Sequence, residues 1–306
     1  FFNYFYNMKE STVNHSSPIA PSELILTNEG RIYHINLCPT DIADDVIIVG
    51  DQERVKQVSR HFDSIEIKVA KREFITHTGY YKGKRITVLS TGIGTDNIDI
   101  AINELDACVN IDFKTRKTKE QKKKLNIIRI GTSGSLQEDI PVDSFVASTY
   151  GLGLDGLLGF YKANFQQDEL DLKDAFINQM KWPTDANIPY FTRGNNNLIN
   201  KLGKDMYKGI TATANGFYGP QGRTLRLATE VPDLNEQLNQ FTYKSHRITN
   251  FEMETSALYG LCGLLGHNAC TTCAIIANRF KKEYSKDYKK TVDLLIELVL
   301  NRLLDK

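Results

Sequence analysis

Short runs of β-branched residues that end in glycine recur along the chain, and a polar segment with helical character follows them. The run from Asp45 to Gly50 is typical of a buried strand, and Asp51 then caps a helix that the pattern predicts over residues 53–62. The same transition from strand to glycine occurs at residues 90–95 and 126–135. A glycine turn that opens into a helix presents free N–H groups, where an anion can bind. Since α/β sheets bind ligands at the carboxyl ends of their strands, this repetition predicts one shared site.

The remaining pattern alternates strands and helices without an internal repeat or a clear linker. It predicts a hairpin at 74–80 and 85–89, further strands at 142–148, 210–214 and 270–277, and helices at 97–110, 171–180 and 256–265. An amphipathic helix closes the chain. The sequence therefore predicts the α/β class, as a single-domain three-layer α/β/α fold with a mixed central β-sheet. Residues 1–30 are interpreted as an irregular N-terminal arm and residues 31–306 as the domain.

Composition narrows the functional classes. The formal net charge of the 306 residues is +1, so no nucleic-acid partner is expected, and the basic run at 114–124 is interpreted as a solvated helix or loop. The sequence contains no run of 18 apolar residues, so no membrane span is predicted, and residues 1–8 lack the pattern of a signal peptide. Five scattered cysteines favour free thiols in a reducing compartment, which predicts a cytoplasmic location.

Two arginines lie where a cation needs a partner. Arg54 falls in the first turn of the predicted helix, where it opposes the helix dipole, so it is either paired with an anion or simply solvated. Arg129 lies within an apolar strand, where an unpaired charge is costly. The hydroxyl of Thr132 and the backbone N–H groups of the next turn would complete a nest for an oxyanion.

Two further stretches carry candidate chemistry. Residues 216–223 combine glycine and proline turns with Phe217, Gln221 and Arg223, which together could hold a flat ring with polar edges; the alternative is an ordinary surface turn. Glu252 and Glu254 alternate with apolar residues before a helix. They are interpreted either as a site for a polyol or a cation, or as carboxylates that cap the helix.

Seven stretches occur together in an order that resembles the uridine phosphorylases, of the hexameric nucleoside phosphorylase superfamily. The resemblance extends from about Tyr33 to Leu304 and is carried by residues 33–35, 50–55, 72–74, 90–94, 129–134, 217–223 and 250–254. It implies a nucleoside phosphorylase-like fold and the reversible phosphorolysis of uridine to uracil and ribose 1-phosphate. Inorganic phosphate is then a co-substrate, and no cofactor is expected.

The resemblance also implies a role for individual residues. Phosphate would be bound by Gly50, Arg54, Arg129 and Thr132, with Arg72 from a neighbouring subunit. Ribose would be bound by Met253 and Glu254, with His34 from the neighbouring subunit, and uracil by Phe217, Gln221 and Arg223. Because two of these residues serve a neighbour's site, a homo-oligomer of at least two subunits is expected, and the resemblance implies a hexamer.

Three positions bear on the alternatives within the superfamily. Asn215 stands where purine-cleaving members carry an acidic residue, which favours a pyrimidine substrate. Glu73 matches a monovalent-cation site of some relatives, but Asn97 replaces a small hydroxyl residue there and argues against bound potassium; no other metal site is predicted. A purine nucleoside phosphorylase, a nucleosidase and a non-catalytic nucleoside-binding protein are the alternatives, and the complete set of phosphate-binding arginines disfavours the last two.

Overall fold

The computed structural model describes residues 11–305, so the predictions for residues 1–10 lie outside the described part. Its α-helices are α1 (Gln52–Ser59), α2 (Thr95–Asn110), α3 (Gln167–Gln179), α4 (Asn196–Leu202), α5 (Leu234–Gln240), α6 (Thr255–Leu265) and α7 (Tyr288–Leu304). Short 3-10 helices occupy Pro39–Asp41, Leu157–Phe160 and Gly219–Gln221.

The strands are β1 (Asp45–Val49), β2 (Ser64–Lys71), β3 (Phe74–Tyr81), β4 (Lys84–Ser90), β5 (Ile111–Asp112), β6 (Lys117–Thr118), β7 (Asn126–Ser135), β8 (Phe145–Gly153), β9 (Tyr190–Arg193), β10 (Tyr207–Thr213), β11 (Thr242–Tyr243), β12 (His246–Glu252), β13 (Asn268–Asn278) and β14 (Glu283–Tyr284).

All strands except the β5–β6 hairpin join one mixed sheet, in the order β11-β12-β10-β8-β13-β7-β1-β4-β3-β2, with β9 beside β8 and β14 beside β13. Strand β1 is parallel to both β4 and β7, so the carboxyl ends of these three strands meet at one edge. Strand β12 also pairs with β7. The strands β7, β13, β8, β10 and β12 therefore close into a ring, to which β1–β4 are attached.

Helices cover both faces of the sheet because the buried strands are apolar on both sides. In β1, Val46 and Ile48 pack into one core cluster with α2 and α6. The alternate residues Ile47 and Val49 pack into a second cluster with α1, α4 and α7. This alternation is expected of a strand that is buried on both faces, and it confirms the predicted three-layer architecture.

Several element boundaries differ from the prediction. The strand expected at 142–148 begins at Phe145 and extends to Gly153. The basic run expected as a solvated helix or loop contains β6, because a local turn folds it into a hairpin. In that turn Asp112 Oδ1 accepts hydrogen bonds from the N–H groups of Lys114 and Thr115 at 2.8 and 2.9 Å, which is how an aspartate favours a turn over a helix.

The described part of the arm, residues 11–30, contains no helix and only one isolated bridge, Leu26 to Ile32. The Arg116 side chain holds it: Nε donates to the carbonyl of Ile19 at 2.7 Å, and Nη2 donates to those of Ala20, at 3.0 Å, and Leu24. The arm is thus attached to the β5–β6 hairpin. Among residues 11–305, no helix is both long and apolar enough to cross a membrane.

Candidate active site

A cavity of about 1270 Å³ opens at the carboxyl edge where β1, β4, β7 and β12 end. Nine of the residues predicted to bind phosphate, ribose or uracil line it: Gly50, Arg54, Arg129, Thr132, Phe217, Gln221, Arg223, Met253 and Glu254. The parallel pairing of β1 with its two neighbours brings them together, since Val49 lies opposite Ser90, and Ile48 opposite Arg129. The three glycine turns thereby meet at one place.

The two arginines at the inner end of the cavity are both buried. Arg54 is 8% exposed and Arg129 is 5% exposed. Burial, followed by the nearby charge of Arg129, lowers the pKa of Arg54. Within the described residues, the Arg54 side chain makes a single long hydrogen bond, from Nη1 to the carbonyl of Ile130 at 3.4 Å, and its Nε has no partner. A buried guanidinium with unused donors is suited to an anion.

Arg129 already has anionic partners. Its Nη2 contacts Glu254 Oε2 and lies 3.2 Å from Glu252 Oε2. Burial alone would lower the pKa of Arg129, but the two carboxylates outweigh it and raise the pKa above its usual value. The guanidinium folds back over its own strand, and a Cβ on Gly131 would lie 1.8 Å from Arg129 Nη1. Glycine at 131 is therefore required for this placement.

The two carboxylates after β12 have different roles. Glu252 accepts from the N–H groups of Glu254, at 3.0 Å, and Thr255, and from the hydroxyl of Thr213 at 2.7 Å. It therefore caps the start of α6 and ties it to β10. Burial raises the pKa of Glu252, although the charge of Arg129 opposes the shift. Glu254 instead joins the turn after β4 to β7: its Oε1 accepts from the N–H of Gly94 at 2.9 Å, and its Oε2 contacts Arg129.

Another wall of the cavity is formed by the loop at 216–223. Gly222 ends the 3-10 helix in the left-handed conformation, with φ of +65°. The preceding side chain, Gln221, is buried and only 2% exposed. The Arg223 guanidinium lies 3.7 Å above the centre of the Phe217 ring. Its Nη1 donates to the Phe217 carbonyl at 2.5 Å and to Gln221 Oε1 at 2.7 Å. The loop is thus a built wall of the cavity rather than a simple surface turn.

Sequence reasoning missed Arg279, which completes this wall. Its Nη1 donates to the backbone carbonyl of Gln221, and its Nη2 donates to Gln221 Oε1, both at 3.0 Å. Burial and the neighbouring charge of Arg223 lower the pKa of Arg279 to about 10. The one available signal was an arginine directly after a buried strand, whereas Arg129 stood out because it lies within one.

Three residues discussed from the sequence do not line the cavity of their own chain. His34 and Arg72, the two expected to serve a neighbour, lie outside it, and so does Asn215, which is exposed. His34 instead contacts Glu104, with 2.6 Å between Nδ1 and Oε1. Arg72 has φ of +54°, and its guanidinium lies 5.8 Å from the centre of the Tyr33 ring.

The residues implied for a potassium site do not fit a cation well. Glu73, Ile93 and Asn97 all line the cavity. However, the Asn97 amide Nδ2 donates to the carbonyl of Ile93 at 3.4 Å. A hydrogen-bond donor thus faces one of the oxygens that a cation would need. Within residues 11–305, no group of three or more histidine, cysteine, aspartate or glutamate side chains is arranged to hold a metal ion.

Similar proteins share both sequence and fold with this chain. It is 32% identical to a uridine phosphorylase of Thermococcus kodakarensis over 275 residues, which cover 88% of this chain and 85% of the relative. It is 26% identical to a DeoD-type purine nucleoside phosphorylase of Buchnera aphidicola, over 89% of this chain and 98% of the relative.

Among solved structures, a Trypanosoma brucei nucleoside phosphorylase described as showing uridine phosphorylase activity superimposes with a TM-score of 0.84. It is 27% identical, and the match covers 92% of this chain and 99% of that chain. The sequence profile of the Phosphorylase superfamily matches residues 44–303. The chain therefore belongs to the Phosphorylase superfamily.

Proposed function

We propose that this protein catalyses the reversible phosphorolysis of uridine to uracil and ribose 1-phosphate, a step of pyrimidine nucleoside salvage. A phosphate oxygen attacks C1′ of the ribose, the bond between C1′ and N1 breaks, and its electron pair leaves with uracil. Positive charge develops on the ribose and negative charge on the base. A site accelerates the reaction if it favours that charge pattern over the ground state.

The observation that carries the proposal is that one cavity is lined both by two buried arginines, Arg54 and Arg129, and by the cluster of Gln221 with Arg223. Arg54, with its unused donors, and Arg129 lie at the phosphate end. Glu254 lines the same cavity, and its carboxylate can accept hydrogen bonds from ribose hydroxyls. Gln221 and Arg223 can donate to the carbonyl oxygens of uracil and so stabilise its leaving charge. No protonating acid is needed for a base that leaves as a stabilised anion.

We also propose that this wall changes when the base binds. Arg223 and Arg279 both donate to Gln221 Oε1. Because an amide oxygen has two acceptor positions, Oε1 can meet the N3–H of uracil only if one arginine releases it. Arg223 is the candidate, since it lies in the half-exposed loop and would exchange the amide oxygen for a uracil carbonyl.

The phosphate end of one chain carries little net charge. Its two arginines, Arg54 and Arg129, face the two carboxylates of Glu252 and Glu254. A phosphate dianion would therefore benefit from a further cation, which supports the proposal that a neighbouring subunit supplies Arg72. His34 would come from the same neighbour. We accordingly propose a homo-oligomer of at least two subunits, and a cytoplasmic location in keeping with five free cysteines.

The main alternative is cleavage of a purine nucleoside, because a relative with that activity also matches. Hypoxanthine, adenine and guanine carry no N–H between two carbonyls, which is the arrangement that Gln221 and Arg223 are proposed to read. The arginine donors also face the amino group of cytosine unfavourably. Uridine is therefore expected to be preferred over both inosine and cytidine.

The test is a comparison of nucleosides with purified protein. The change in absorbance that accompanies cleavage of the nucleoside is measured for uridine, thymidine and inosine, each with and without phosphate. We expect cleavage of uridine that depends on phosphate and is at least about tenfold faster than that of inosine, the discrimination that one lost hydrogen bond to the base would give. Turnover without phosphate would indicate a nucleosidase, and a preference for inosine would refute the assignment of the base.

A further inference from the structure

Glu104 is a buried acceptor on α2 that no sequence pattern singles out. Its side chain is 14% exposed. Its carboxylate accepts from the backbone N–H of His34 at 3.0 and 3.1 Å and from that of Ile35 at 2.8 Å. The same carboxylate meets His34 Nδ1 at 2.6 Å. Glu104 thus holds both the backbone and the ring of His34.

These contacts fix which ring nitrogen of His34 carries the proton. An ionised carboxylate can only accept, so Nδ1 must be the donor. In the neutral ring Nε2 is then left as an acceptor. The Tyr33 ring packs edge-on against the imidazole, with 4.8 Å between centres. No described residue hydrogen-bonds to Nε2, and the side chain is 27% exposed, so this acceptor is left unused by the described part of its own chain.

We propose that Glu104 is a positioning residue that presents His34 Nε2 as a fixed acceptor to the 5′-hydroxyl of the ribose bound in the neighbouring subunit. This inference rests on the proposed function, in which His34 makes that contact. A positioning role for Glu104 explains why the His34 ring is held by a carboxylate rather than left free to rotate. A held ring loses no side-chain freedom on binding, so the contact with the hydroxyl contributes fully to selectivity.

The variant Glu104→Gln tests the proposal. Glutamine keeps the size of the side chain but has one acceptor oxygen instead of two, so it cannot satisfy both backbone N–H groups and also fix Nδ1–H. The measurement is the ratio of kcat/KM for uridine to that for 5′-deoxyuridine, which lacks the hydroxyl. We expect His34→Ala to lower the ratio about fivefold, as expected for one hydrogen bond, and Glu104→Gln to lower it by a similar factor.

A purely structural role predicts a different outcome. General loss of packing would lower kcat/KM for both nucleosides equally and leave the ratio unchanged. In the double variant His34→Ala with Glu104→Gln, the ratio is expected to equal that of His34→Ala alone, because Glu104 acts through the ring. Glu297→Gln, the same chemical change on an exposed position of α7, is the matched control and should leave the ratio unchanged.

The outcomes separate this inference from the proposed function. If the wild-type protein cleaves no uridine, both are overturned. If it cleaves uridine but Glu104→Gln or His34→Ala leaves the ratio unchanged, only the positioning role is overturned. Should Glu104→Gln fail to assemble, Glu104→Asp gives the same readout, since it retains the charge but withdraws the carboxylate from Nδ1 by one methylene.

Discussion

Arg279 holds the buried amide of Gln221, and the variant Arg279→Met tests whether that support is needed to read the base. The substitution removes two hydrogen bonds, to the carbonyl and to the side-chain oxygen of Gln221, both at 3.0 Å. Gln221 keeps its bond from Arg223 at 2.7 Å and its backbone bond to Tyr218 at 3.0 Å. The loop is therefore expected to stay folded while the amide becomes free to turn.

The size of the expected loss in activity follows from the charge of the two donor groups of Arg279. A hydrogen bond from a charged group contributes about 1.5–3 kcal/mol, and part of the loss is recovered because the cavity admits water. We therefore expect a loss of about 2–3 kcal/mol in transition-state stabilisation, which lowers kcat/KM for uridine roughly 30- to 150-fold. The KM for phosphate should change less than about threefold, because Arg279 makes no described contact with Arg54 or Arg129.

Steady-state kinetics with uridine and phosphate varied in turn provide the assay. Lys282→Met is the matched control: Lys282 also lines the cavity and loses the same charge, but it makes no hydrogen bond to Gln221. The control separates support of the amide from a change in the local field. If Arg279→Met keeps uridine cleavage within threefold of the wild type, or if Lys282→Met reduces it equally, the reasoning is refuted.

Two further predictions concern placement and pH. Gly131→Ala would put a Cβ 1.8 Å from Arg129 Nη1, so the KM for phosphate should rise about tenfold or more. Gly134→Ala is the control: its Cβ would meet nothing closer than 3.5 Å, and the KM for phosphate should stay nearly unchanged. Equal effects in the two variants would argue against a requirement for glycine at 131. Burial raises the pKa of Glu169 from 4.5 to about 7, so between these pH values the folded state binds more protons than the unfolded state and loses about 3 kcal/mol of stability as pH rises. Melting curves should show a smaller fall in Tm from pH 4.5 to pH 7.5 for Glu169→Gln than for the wild type, and identical falls would contradict this.

The anion side of the cavity could be predicted because its signals are local. Each glycine turn follows its strand directly, and Arg129 within an apolar strand requires a partner wherever the strand lies. Parallel pairing then brings the strand ends together without any further information. The alternatives left open for Glu252 and Glu254 required the structure, because helix capping and facing the cavity differ only in the direction of two side chains.

Arg279 could not be assigned from the sequence because its partner is distant in the chain. The contact with Gln221 joins residues 58 positions apart, and it exists only when the end of β13 reaches the loop after β10. The β5–β6 hairpin was missed for the opposite reason. Its turn depends on one aspartate side chain, Asp112, and this local preference was hidden by the surrounding lysines.

The closed ring of strands restricts how a nucleoside can enter. Antiparallel pairing of β12 with β7, at Asn250 with Ser135 and Phe251 with Gly134, joins the strands that carry Glu252 and Arg129. Separating them would break backbone hydrogen bonds, so amide hydrogens in both strands should exchange with solvent only on global unfolding. This pairing does not restrain the connection at 214–233, which carries Phe217 and Arg223 and contains a single three-residue 3-10 helix, so we expect the motion that admits the base to occur there. Entry and exit of the base would be governed by this connection, and the phosphate side would remain a rigid platform throughout turnover.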